Sequence, residues 1–208
     1  MTIKIIGMVI VAYLLGAIPS GLWIGQTFYH KDIRKLGSGN IGTTNTFREL
    51  GPKAGVVVLL MDVLKGTLAA SRPYLLGVSH SVNPLLIGIF ASLGHTFSVF
   101  DHFHGGKAVA TSAGILLAYN PPLFALACAI FITTLLLTSM ASCASIVGIT
   151  SIFIIALCEH DLILSCVAGI LTALVLWRHK SNIIRIITGN ESLVSFGLVY
   201  YLKQKHHK

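Results

Sequence analysis

The stretch AVATSAGILLAYNPPLFALACAIFITTLLLTSMASCASIVGITSIFIIALC, residues 108–158, runs for 51 positions without an Asp, Glu, Lys or Arg. A hydrocarbon core about 30 Å thick takes about 20 helical residues at about 1.5 Å each. The run is therefore too long for one crossing. Proline removes a helical hydrogen bond and clashes with the preceding turn, so Asn120-Pro121-Pro122 marks one break, and Thr138-Ser139 marks a second. Three helices result. Outward from them, charge-free runs between Lys4 and Lys31 and between Arg72 and Asp101 predict spans at residues 5–24 and 84–100. Residues 54–76 and 162–177 add two more, the former despite Asp62, Lys65 and Arg72.

Composition agrees with this reading. Of 208 residues, 54% are hydrophobic and 11% charged, against roughly a quarter charged in a soluble domain. A soluble enzyme, a nucleic-acid binder and a secreted scaffold are excluded. Fifteen basic and seven acidic side chains give a net charge of +8, which suits anionic phosphates or lipid headgroups. The four cysteines lie in or beside apolar segments without a C-x-x-C spacing, so neither a disulfide frame nor a zinc site is expected. The first apolar run reads as a span rather than a cleaved signal peptide, because functional-looking residues follow it at once. No internal repeat is evident, and residues 1–208 read as one transmembrane domain.

Residues 108–119 reach only about 18 Å. Charge bias decides whether they cross. Seven crossings put Lys31, Arg34, Lys35, Arg48, Lys53, Lys107, Arg178, Lys180 and Arg185 on one side, with Glu159 and Asp161 opposite; six would divide the basic groups. The expected fold is all-α, a polytopic membrane protein of about seven transmembrane helices, N-terminus outside and C-terminus cytoplasmic, with Lys4 and Arg72 as exceptions. Residues 192–202 are too short to span and either lie along the cytoplasmic interface or form a solvated tail.

Three polar islands interrupt the apolar chain, all on the expected cytoplasmic face. The first, GSGNIGTTNTFR at residues 37–48, combines glycines that allow backbone N–H groups to converge, hydroxyl and amide donors, and the guanidinium of Arg48. It reads as an anion cradle, against the alternative of a flexible loop. Gly37, Gly39 and Gly42 also satisfy G-x-G-x-x-G, but a basic loop between membrane helices is not a βαβ unit, so a dinucleotide site is rejected. The second island, residues 94–107, ends in Gly105-Gly106-Lys107. A helix beginning there would offer unpaired N–H groups and a positive dipole end to a phosphate, with Lys107 balancing charge. His95, Asp101, His102 and His104 match no metal-ligand spacing, and no His/Asp base is evident near His95, since Asp101 lies six positions on.

The third island, Arg178 to Arg185, follows the last predicted span. His179 and Asn182 share a helical face, which suits either a crevice or an anchor to anionic lipid. Asp62 and Lys65, one turn apart inside a span, are expected to pair and hold their helix against the first island, with Gly66 allowing close packing.

Together these segments resemble the acyl-phosphate-dependent glycerol-3-phosphate acyltransferase family of bacterial inner membranes, the PlsY type. The resemblance rests on Gly37-Ser38-Gly39-Asn40 through Thr44-Asn45 to Arg48, on Asp62 to Lys65-Gly66, on Gly94-His95 through Gly105-Gly106-Lys107 to Ala110-Thr111, and on His179 to Asn182 with Gly189 and Glu191. Ser98, His104 and Thr138-Ser139-Met140 depart from the family's usual proline, lysine and aromatic-containing loop. The resemblance implies transfer of a fatty acyl group from acyl phosphate to the sn-1 hydroxyl of glycerol 3-phosphate, giving lysophosphatidic acid and phosphate. By the same resemblance, catalysis falls to Ser38, Arg48, Lys107, His179 and Asn182. Substrate binding falls to Gly39, Asn40, Thr44, Asn45, Gly105 and Gly106, with Ser142 and Ser145 added beside the acyl phosphate. No cofactor or metal is implied; the implied partners are membrane lipid and an upstream enzyme that forms acyl phosphate. From the residues alone, the rival reading is a membrane transporter of a small phosphorylated solute. The missing repeat and the clustering on one face favour the enzyme.

Overall fold

Prolines and glycines cut the chain into helices at the places where the hydrophobic pattern falters. The computed structural model describes residues 1–206, among which helices alone form the regular structure. They are α1 (Thr2–Ala17), α2 (Ser20–Tyr29), α3 (Thr43–Leu50), α4 (Pro52–Ala70), α5 (Arg72–Leu75), α6 (Pro84–Thr96), α7 (Val109–Tyr119), α8 (Pro121–Thr138), α9 (Ala141–Cys158), α10 (Leu162–Arg178), α11 (Lys180–Ile187) and α12 (Leu198–His206). The chain divides into two compact units, Met1–Pro121 and the part from Pro122 onward.

Three expected span boundaries change. Residues 5–24 are not one helix: α1 stops before Ile18-Pro19 and α2 resumes at an angle of 44°, because Pro19 supplies no N–H to continue the ladder. Residues 54–76 shorten to α4, since Pro73 supplies no N–H to continue its ladder and instead stands in the first turn of α5. Residues 84–100 end as helix at Thr96, followed by a 3-10 turn at Val99–Asp101. Both breaks predicted in 108–158 are present, before Pro121 and at Ser139.

Pro84–Asp101, Pro121–Thr138 and Ala141–Cys158 are long and apolar enough to cross a membrane, and the bent pairs α1–α2 and α10–α11 raise the number to five. The protein is a multi-pass membrane protein. Only 6% of the apolar α8 window is buried within the protein, as expected of a helix whose surroundings are hydrocarbon.

In the first unit, α4 packs on α7, and α6 packs on α1. The α4–α7 contact is unusually close because each helix sets a glycine against the other's backbone. A Cβ on Gly66 would strike the Thr111 carbonyl, and one on Gly114 would strike the Val63 carbonyl. That is the close packing expected of Gly66.

In the second unit, α9 packs on α10 and α11. The segment at residues 192–202 is not a loose tail: it is tied to the α8–α9 break and leads into α12. Val194 N donates to the Ser139 carbonyl at 2.8 Å and Tyr200 N donates to Ser139 Oγ at 3.0 Å. Ser139 is fully buried with φ 56°, so the chain after α11 satisfies the polar groups left over at the α8–α9 break.

Candidate functional site

The first island folds as a turn leading into α3. Gly37 and Gly39 adopt φ of 53° and 71°, the left-handed region that glycine enters without penalty. Asn45 organises this turn from the first coil of α3. Its Oδ1 accepts from Ser38 N at 3.0 Å, and its Nδ2 donates to the carbonyls of Leu36 at 3.0 Å and Ile33 at 3.3 Å. Asn40 Oδ1 accepts from Gly42 N at 2.9 Å. Burial then sorts the island: Asn45 and Thr46 point inward, whereas Ser38, Gly39, Thr44 and Arg48 are exposed and Asn40 half-buried. Thr44 and Arg48 are one helical turn apart and so share a face of α3. Arg34, by contrast, is committed to Asp32 at 2.8 Å and to buried Asp101 at 2.6 Å, joining the start of this loop to the second island. The Arg34 guanidinium holds the Asp32 carboxyl down to about 2.

The second island departs from expectation at its end. The helix begins at Val109, not at Gly105, and Ala108 precedes it with φ 59°. Gly106 N is already used, donating to the His95 carbonyl at 3.0 Å. The two glycines serve close approach. A Cβ on Gly105 would meet the His95 and Thr96 carbonyls, and one on Gly106 would run into the His95 ring. Lys107 emerges half-buried from this loop.

Asp62 and Lys65 pair as expected, at 2.8 Å, with exposures of 2% and 4%. What they grip is different. Lys65 Nζ donates to the Ile18 carbonyl at 2.9 Å and Ser20 Oγ donates to Asp62 Oδ1 at 2.8 Å, so the pair clamps the break between α1 and α2 instead of the first island. Ser20 N also donates to the Ile18 carbonyl, at 3.0 Å, so the break's backbone and side-chain polar groups are paired within the protein. His95 Nδ1 lies 3.8 Å from Asp62 Oδ1. This carboxylate is 33 positions from His95 in sequence, which is why local spacing did not disclose it.

In the second unit, His179 ends α10 and Asn182 lies in the first turn of α11, with exposures of 2% and 6%. Lys180 and Ile184 are outside. The His179 Nδ1 and Val175 carbonyl are 2.8 Å apart. Glu191 is the hub of this region: it accepts from Ser142 Oγ at 2.8 Å, Asn182 Nδ2 at 2.7 Å and Arg185 Nε at 2.8 Å. Ser145 Oγ instead bonds back to the Ala141 carbonyl.

A family model described as glycerol-3-phosphate acyltransferase matches residues 6–189. The chain belongs to the glycerol-3-phosphate acyltransferase family. It is 73% identical to the glycerol-3-phosphate acyltransferase of Limosilactobacillus reuteri over 99% of this chain and 98% of the relative. It is 52% identical to that of Levilactobacillus brevis over 97% and 99%. Among solved structures, it is similar to PlsY (YgiH), an integral membrane glycerol 3-phosphate acyltransferase, in its glycerol 3-phosphate form, with TM-score 0.86, 34% identity, and coverage of 95% of this chain and 98% of that one. The lysophosphatidic acid form of PlsY gives TM-score 0.83 at the same identity, over 91% and 94%.

In this acyltransferase, Glu191 holds Asn182 and Ser142 together by hydrogen bonds. Burial raises its carboxyl, but the hydrogen bonds from Asn182, Ser142 and Arg185, with the charge of Arg185, outweigh burial and hold it below the ordinary glutamate value. A depressed value means that its stabilisation is complete above the ordinary glutamate range and disappears as pH falls through the lower, folded-state value. Glu191→Ala should destabilise the second unit by about 1–3 kcal/mol, the cost of leaving buried donors unpaired. Thermal melts of the wild type should shift down on acidification, and that shift should be smaller in Glu191→Gln.

Proposed function

We propose that this acyltransferase takes its acyl group from acyl phosphate and joins it to the sn-1 hydroxyl of glycerol 3-phosphate, releasing lysophosphatidic acid and inorganic phosphate. Ser38, Arg48, His179 and Asn182 hold the glycerol phosphate, with Gly39, Asn40, Thr44 and Asn45 shaping the cradle. Gly105, Gly106 and Lys107 hold the acyl phosphate, with Ser142 and Ser145 beside it. The observation that carries this reading is the sorting of the first island: its amide scaffold is buried and its guanidinium and hydroxyls are presented outward from one turn and one helix face.

A mixed anhydride is already activated, so the protein's work is alignment and charge neutralisation, both large terms in catalysis. The acceptor oxygen attacks the carbonyl carbon and the carbon–oxygen bond to phosphate breaks. The phosphate leaves with that electron pair, and the acceptor proton passes to the same phosphate. Lys107 stabilises the departing charge. The apolar helices shelter the acyl chain and limit hydrolysis of the donor.

Residues 1–208 act as one catalytic domain in the bacterial inner membrane. It has seven crossings, the five spans above plus α4 and α7, with the N-terminus outside and the site and C-terminus cytoplasmic. An upstream enzyme that forms acyl phosphate supplies the donor. Protein purified in detergent, where no compartments exist for transport, should release phosphate from palmitoyl phosphate only when glycerol 3-phosphate is present. Release independent of glycerol 3-phosphate, or none with both substrates, contradicts the assignment.

A further inference from the structure

We propose that a cleft between α1 and α5 binds the phosphate of an anionic phospholipid, on the membrane face away from the first and second islands. Lys4 and Arg72, the two cations that break the charge bias of the sequence, both line it, together with Gly7, Met8, Val11 and Leu76. Their meeting follows from the packing. Helix α4 runs antiparallel to α1: Lys65 reaches the Ile18 carbonyl just past the end of α1, and Ala69, one turn further along α4, shares a core cluster with Met8 and Ala12. Arg72, just beyond α4, therefore falls beside the first turns of α1. The other end of α1 belongs to the islands. There Ser98 Oγ donates to the Ala17 carbonyl, Tyr13 Oη donates to the Phe97 carbonyl, and α2, continuing the chain, packs on α3. Lys4 and Ala17 are separated by about 20 Å of helix.

Both cations lack a counter-charge within the protein. Neither Lys4 nor Arg72 forms an ion pair with a described residue, and the buried Arg72 Nε has no hydrogen-bond partner among the described residues. A buried N–H without an acceptor is costly, and a guanidinium beside hydrocarbon more so. Phosphate oxygens meet that need: a planar guanidinium takes two at once, and an ammonium adds a compact charge. The shape of the cleft selects a lipid. Lys4, Gly7, Met8 and Val11 follow one another at helical spacing along one face of α1, so the cleft is cationic at the start of the helix and apolar further in. Gly7 leaves its floor open, since a Cβ there would meet nothing within 4 Å. The volume is about 250 Å³, below the roughly 300–1,000 Å³ of sites that engulf a drug-sized ligand. It suits a headgroup phosphate and the start of a chain whose remainder stays in the bilayer. A soluble phosphorylated solute would leave the apolar wall unused.

The test is lipid binding by the delipidated protein in detergent, read as the affinity of the tightest-bound lipid by native mass spectrometry and as the rise in melting temperature. Dioleoyl phosphatidylglycerol should bind and stabilise, and dioleoyl phosphatidylcholine at the same mole fraction should do so much less. Lys4→Gln/Arg72→Gln should weaken phosphatidylglycerol binding about tenfold or more, the order expected of two cations beside anionic lipid. Lys203→Gln/Lys205→Gln, which removes two cations elsewhere, should leave it within about twofold. Gly7→Trp keeps both cations but fills the floor of the cleft, and should also weaken binding. Undiminished binding in Lys4→Gln/Arg72→Gln, or equal weakening in both lysine-containing pairs, overturns the proposal. Undiminished binding in Gly7→Trp overturns it too, by reducing the effect to surface charge, and inorganic phosphate producing the full stabilisation would give the cations to a free phosphate instead. If Arg72→Gln does not accumulate as folded protein, Lys4→Gln and Gly7→Trp decide, because both positions are exposed; Lys4→Gln alone should cost about fivefold, and no loss in either variant refutes the site.

Discussion

Lys65→Met, with Asp62 intact, is expected to cost the first unit about 3–5 kcal/mol, the penalty for leaving a buried charge without its partner. The size of the effect follows from where the pair sits. Asp62 and Lys65 are almost completely buried, and their 2.8 Å contact is the centre of a set that includes Ser20 and the Ile18 carbonyl. Removing the ammonium strands the Asp62 carboxylate and takes away one of the two donors, Lys65 Nζ and Ser20 N, to the Ile18 carbonyl at the α1–α2 break. Asp62→Leu should be comparably damaging, because it strands the ammonium. The double variant Asp62→Leu/Lys65→Met should regain most of the loss, since buried ion pairs are often replaceable by apolar groups of similar volume. It should stop short of full recovery by about 0.5–1.5 kcal/mol, the net worth of the lost Lys65 bond to an Ile18 carbonyl that keeps the Ser20 N–H. Thermal unfolding in detergent reads all four proteins. Equal stabilities for the single variants and the wild type would show that the pair does not clamp the α1–α2 break.

Arg48→Ala and Lys107→Ala should each lower glycerol-3-phosphate-dependent phosphate release by at least about a hundredfold. A charge-assisted hydrogen bond contributes about 1.5–3 kcal/mol to binding, and preorganised charge is worth more where the transition state gathers negative charge. Arg48 is exposed and Lys107 half-buried, so the melting temperature should scarcely move in either. That separation of activity from stability distinguishes these positions from Asp62 and Lys65. Arg48→Lys should recover only part of the rate, because an ammonium cannot make the bidentate contact of a guanidinium with phosphate. Intact turnover in either alanine variant refutes the site.

The helices themselves were legible because apolar runs and proline obey local rules. Asn120-Pro121-Pro122 and Thr138-Ser139 broke the long apolar run as read, and the Asp62–Lys65 pairing followed from the cost of charge in hydrocarbon. The limits of the reading were limits of range. Nothing near Pro19 in sequence indicates that its break is satisfied by Lys65, 47 positions from Ile18. Gly105-Gly106 looked like the opening of a helix because glycine before a cation has that appearance locally, whereas the pair lies against the His95 and Thr96 carbonyls and the His95 ring. Glu191 was legible as part of a motif but not as the hub joining Ser142 and Asn182, since hydrogen bonds across 49 and 9 positions leave no period in the chain. A pairing signal between positions 95 and 106, or 142 and 191, would have disclosed both.

The central claim is that islands far apart in sequence serve one reaction from one side of the membrane. Single cysteines at positions 38, 107 and 180, in a chain whose native Cys128, Cys143, Cys158 and Cys166 have been replaced, test it most directly with a membrane-impermeant thiol reagent in oriented vesicles. The account predicts that all three are modified from the cytoplasmic side alone, and that glycerol 3-phosphate protects position 38. Modification of any of the three from the opposite side would contradict it.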